Sequence, residues 1–115
     1  MSSDLRPAKW DITIWRNDTW VQVYSLTLDS NPIDLQNATI YIHVRKGCGG
    51  TLALSLTNGD GLTITGADNN QISISKLVDI EKGTYKWDLQ VTYSSGIVKT
   101  YIEGEFVVQD DVTKP

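Results

Sequence analysis

The chain has 115 residues, with 14 acidic against 10 basic side chains, a formal net charge of −4 and a single cysteine, Cys48. That length suits one domain, residues 1–115, able to bury roughly two thirds of its unfolded surface without metal or disulfide; one cysteine excludes an internal disulfide, and no cluster of lysine and arginine offers nucleic acid a footprint. No apolar run approaches the roughly 20 residues of a bilayer span, and MSSDLRPAKW lacks the core of a signal peptide, so a soluble protein made in the cytoplasm, with no membrane partner, is expected.

Strand signals recur from Lys9 to Val108, each bounded by turn residues. KWDITIWR puts Trp10, Ile12 and Ile14 on one face and Trp15 on the other. WVQVYSLTL sets Val21 and Val23 opposite Trp20, Gln22 and Tyr24, and the turn at Asn17 and Asp18 predicts a hairpin between these two segments. Pro32 breaks the pattern before ATIYIHVR, whose apolar face is Ile40, Ile42 and Val44. The glycine loop Gly47 to Gly50 is expected at the surface, followed by TLALSLT, LTIT and QISIS, three short strands that predict a meander around NGDG and DNN turns. KLVDIEK reads as an irregular crossover, and YKWDLQVTY with IVKTYIEGEFVV flanks a hairpin connection at Ser94, Ser95 and Gly96. The sum is an all-β chain of about eight strands, read as an antiparallel two-sheet sandwich with short flexible arms at both ends.

Residues capable of chemistry do not converge in this pattern. His43, the single histidine, falls mid-strand on a polar face and reads as a surface residue. Cys48 has no neighbouring histidine to activate it, and zinc spacings are missing. Asp60, Asp68, Asn69 and Asn70 carry oxygen ligands of the kind calcium takes, but the same residue types are what tight turns require, and the turn reading is preferred. No catalytic residue, cofactor or metal is therefore expected. The four tryptophans are more informative. Trp10 and Trp87 are assigned to the core. Trp15, Trp20 and Tyr24 fit either the core or an exposed aromatic platform for a subunit interface or a stacked sugar.

Within EKGTYKWDLQV, the approach Gly83, Tyr85, Trp87 resembles the tyrosine corner of immunoglobulin-like sandwiches, in which the tyrosine hydroxyl bonds back to the backbone just upstream. Glu81 stands where that motif usually has aspartate, and Trp87 where antibody domains have a bonded cysteine. More broadly, NPIDLQNATIYIHVRKG and GTYKWDLQVTYSSGIVKTYIEGEFVVQDDVTKP resemble small immunoglobulin-like proteins of tailed bacteriophages, including the N-terminal domains of baseplate and fibre-attachment proteins. The resemblance implies a non-enzymatic virion part that connects tail or baseplate components or attaches fibres, with capsid decoration as a variant. It also implies other virion proteins as partners, a homo-oligomer in the assembled particle, and no site residues to transfer. A carbohydrate-binding module using the exposed tryptophans is the rival reading.

Overall fold

The structure, a computed structural model, describes residues 7–47 and 50–110. Most of the expected flexible arms, and Cys48 in its glycine loop, lie outside the described residues, while Ala8 and Gln109 at the inner ends of the arms belong to strands. Within them the chain is strand, turn and loop with no helix, as β-branched residues alternating with polar ones dictate.

Five short or medium strands come first: β1 (Ala8–Lys9), β2 (Ile12–Trp15), β3 (Thr19–Ser25), β4 (Thr27–Leu28) and β5 (Asn31–Pro32). The longer elements follow as β6 (Thr39–Arg45), β7 (Leu52–Asn58), β8 (Gly61–Thr65), β9 (Gln71–Leu77), β10 (Gly83–Thr92) and β11 (Val98–Gln109). Nine of these eleven form one continuous sheet in the order β1-β11-β10-β6-β7-β8-β9-β3, with β2 also on β11, while β4 and β5 make a small ribbon. The expected two-sheet sandwich of about eight antiparallel strands is thus only partly realised. Two strands, β1 and β2, run parallel to β11, and β7 is parallel to β8.

The β7–β8 seam explains how one sheet does the work of two. It consists of two residue pairs, Thr57 with Gly61 and Asn58 with Leu62. Between them Gly59 and Gly61 adopt φ of 81° and 93°, a left-handed backbone open to glycine. Reciprocal backbone bonds between Thr57 and Asp60 close the loop. The chain therefore turns a corner there without reversing direction, and the expected meander through NGDG does not form. At that corner the sheet curls over, so that β8, β9 and β3 face β6, β10 and β11 across a common core.

The predicted hairpin of the first two long strands is also replaced. Asn17 takes φ 72°, its N–H donates to the Val78 carbonyl, and the Val78 N–H donates to the Asp18 carbonyl. The chain is hooked there onto the segment after β9, and β3 departs into the opposite layer. The exchange satisfies both strands: Ile12 and Ile14 come beside Phe106 and Val108, while Tyr24 pairs with Ile72. All of these except half-buried Ile14 belong to the buried core.

Candidate functional site

The tyrosine corner is assembled as a hydrogen bond. Gly83, at φ 153°, opens β10, and two residues on the Tyr85 hydroxyl donates to the Glu81 carbonyl at 2.6 Å. Burial, then the neighbouring Glu81 carboxylate, raises the Tyr85 pKa against the opposing pull of Arg16, which keeps the hydroxyl a proton donor. Two residues further, Trp87 lies edge-on to Trp20 with ring centroids 5.5 Å apart, and Trp20 meets Phe106 at 5.1 Å. The Trp87 indole N–H donates to the Trp10 carbonyl at 2.8 Å, tying β10 to the segment between β1 and β2. Gly104 makes that approach possible: a Cβ there would lie 2.0 Å from the same carbonyl oxygen. Edge-on aromatic contacts thus link the layers at the place a disulfide holds in antibody domains, and the indole hydrogen bond anchors Trp87 within its own layer.

The trio Trp15, Trp20 and Tyr24 does not form an exposed platform. Trp20 is 2% and Tyr24 6% exposed, both inside, whereas Trp15 is 43% exposed at the end of β2. The alternation of β3 is as expected, but its aromatic face is the inner one and its valine face the outer. Tyr24 stacks on Trp87 and receives the edge of Trp10, and its burial pushes its pKa upward. Trp10, assigned to the core from its apolar neighbours, is 46% exposed, because β1 and β2 break at Trp10 and Asp11 and the indole closes the side of the molecule instead of its centre.

The outward face of β6, β10 and β11 is polar and concave. A shallow depression of about 630 Å³ is lined there by Lys9, His43, Arg45, Lys86, Asp88 and Glu103, among others. Ladder register sets these side chains in rows: Asp88 lies between His43 and Glu103, and Lys86 between Arg45 and Glu105. Lys86 pairs with Glu105 at 3.3 Å and Lys9 with Glu103 at 3.8 Å. Burial raises the Asp88 pKa, His43 and Arg45 lower it, and Glu103 raises it again, with the net shift upward. Sequence patterning identified the polar positions of these strands singly. Their grouping required the register. Charges of both signs meet on this face, and both of its glutamates are paired with lysines.

Of the turn residues weighed as calcium ligands, Asp60 meets a lysine and Asn70 meets the backbone, and their neighbour Asn58 braces β6. The Asn58 side chain bridges to β6, accepting from the Ile40 N–H at 2.8 Å and donating to the Ala38 carbonyl at 2.9 Å. Asp60 pairs with Lys76 at 3.0 Å, and Asn70 donates to the Leu26 carbonyl at 3.2 Å. Among the described residues no three metal-ligating side chains gather, and no helix is long and apolar enough to cross a membrane.

No protein-family model and no curated protein matches this sequence. Solved structures do match. A chicken TCR aligns with 95% of the chain at 16% identity and a TM-score of 0.54, the chain spanning 56% of that protein's length. The fold is immunoglobulin-like. CopC from Methylosinus trichosporium OB3b aligns over 71% of each chain at 15% identity and a TM-score of 0.43. The V domain of amphioxus IgVJ-C2 does so over 85% of this chain and 99% of its own at 14% identity, with a TM-score of 0.32.

Proposed function

We propose that this chain is a non-enzymatic structural subunit of a tailed-bacteriophage virion, connecting tail or baseplate components or attaching fibres, with other virion proteins as its partners. The observation that carries the reading is where the two phage-like segments fall. One supplies β6 and its lead-in; the other supplies β10 and β11. These three strands are neighbours in the sheet, and their outward sides form the polar depression. The two segments that carry the resemblance most plainly are therefore neighbours in the sheet and share one face.

The physical design is consistent with a building block assembled in a reducing compartment, since an indole pair and a tyrosine corner do the holding that a disulfide does elsewhere. Capsid decoration is the variant of the same reading. The burial of Trp20 and Tyr24 removes the aromatic platform on which the carbohydrate-binding alternative rested.

The test is mass spectrometry of purified particles from the source of the gene, with heads and tails separated. Enrichment in the tail fraction is the expected result, and enrichment in heads selects the decoration variant. Particles free of this chain in both fractions overturn the proposal.

A further inference from the structure

Strand β3 ends the sheet, and its outer edge has no partner among the described strands. Its pairing with β9 fixes which backbone groups remain free. The Leu26 N–H donates to the Asn70 carbonyl, and the Val78 N–H to the Asp18 carbonyl. The register matches Trp20 with Lys76, Gln22 with Ile74 and Tyr24 with Ile72, so the even-numbered residues of β3 exchange hydrogen bonds with β9. The N–H and C=O groups of Thr19, Val21, Val23 and Ser25 consequently point out from the edge. The same four residues project their side chains to the outer face, where Val21 is 70% and Val23 53% exposed.

Edge strands are normally guarded by charge, proline or shortness. The opposite end of the sheet is guarded in this way: β1 and β2 span two and four residues, and Pro7, Lys9 and Arg16 flank or occupy them. By contrast β3 has seven residues, TWVQVYS, without a charge or a proline. Its sequence is also a chemical palindrome about Gln22: valine on either side, then an aromatic residue, then a hydroxyl residue.

We infer that β3 is a self-pairing edge, docking antiparallel on β3 of a second copy of this chain about a two-fold axis at Gln22. In that register Val21 faces Val23 of the other copy and Thr19 faces Ser25. These are the residues whose backbone groups are free, so each pair exchanges two hydrogen bonds. Val21 and Val23 from both copies then form one apolar cluster on the outer face, extended by exposed Leu77 beside Thr19. No like charges oppose each other, because the strand has none. The interface is isologous, and it closes at two subunits unless another surface is used. A neutral palindromic edge selects its own copy over an unrelated strand, which would have to match the same spacing of apolar and hydroxyl residues. The inference stands independently of the virion reading.

The 115-residue chain is studied by light scattering after size exclusion over a concentration series, together with amide hydrogen exchange. The expected result is a mass of two chains at high concentration, with the amides of Thr19, Val21, Val23 and Ser25 gaining protection as the dimer forms. Val21→Lys, which places like charges beside each other across the axis, and Val23→Pro, which removes an N–H that β9 does not use, are each expected to give a single-chain mass. Unchanged circular dichroism and tryptophan emission verify their folds. A wild-type monomer in which those four amides exchange freely overturns the inference. So does a monomer in which they are protected at every dilution, since the edge is then covered by its own chain. A dimer that survives both substitutions with its fold intact also overturns it, because it uses another face.

Discussion

At Tyr85 one hydroxyl does the work of a fastening. Its bond to the Glu81 carbonyl closes the loop that enters β10, and Tyr85→Phe keeps the ring while leaving that carbonyl without its donor. A loss of about 1–2 kcal/mol in urea unfolding is expected, the range of a hydrogen bond whose partner stays partly buried. Asp88 behaves in the opposite sense. Burial, which outweighs His43 and Arg45, holds its folded-state pKa above the ordinary carboxylate range, so the native protein binds that proton more tightly than the unfolded chain. The resulting stabilisation is complete below the unfolded pKa of about 3.9 and disappears as the pH rises through the folded one. Asp88→Asn, a mimic of the protonated form, is therefore expected to raise the urea midpoint slightly at pH 7 and to lose that advantage as the pH falls to about 4. The tyrosine corner was legible from EKGTY because its geometry is local, four residues from donor to acceptor. The surroundings of Asp88 were not, since His43 and Glu103 reach it from two other strands.

Elements of this chain are held where backbones approach closely. The carbonyl of Trp10 sits against Gly104 of β11 and accepts the Trp87 indole N–H. A methyl group at position 104 would occupy the space of that oxygen. Gly104→Ala is expected to push β1 and β2 from β11 and to cost about 1–3 kcal/mol, the range for overpacking. Chemical denaturation measures the loss, and tryptophan emission shifts to the red if Trp87 loses its shelter. The strands themselves were legible from alternation, which depends only on neighbours in sequence. Their partners were not: β2 and β3 look like a hairpin around Asn17 and Asp18, yet β2 pairs with β11 and β3 with β9. A turn signal says that the chain bends. It does not say into which layer the next strand goes.

For the whole molecule the decisive contact is between layers. Trp20 from β3 and Trp87 from β10 occupy the centre with Phe106. Trp87→Ala removes a 2% exposed indole and its hydrogen bond. The expected cost is about 3–5 kcal/mol, comparable to deleting a native disulfide from a small domain. Against a total of about 5–15 kcal/mol, a thermal scan should show partial or complete unfolding of that variant near physiological temperature. Ladders such as Ala8 on Ile102 join distant parts of the chain. Refolding on the order of milliseconds to seconds is therefore expected by stopped-flow tryptophan fluorescence, as loop closure precedes the contacts that reward it.

Period-two alternation, turn chemistry and the lone cysteine are properties of neighbours or of composition, and they determined an all-β chain without an internal disulfide, to which the resemblance of EKGTY added the tyrosine corner. The tertiary structure alone decided that the sheet curls at Gly59 and Gly61, that Trp20 and Tyr24 face inward while Trp15 does not, and that β3 ends the sheet. An alternating strand states that its two faces differ. Which face meets the core, and which edge stays open, depends on strands tens of residues away.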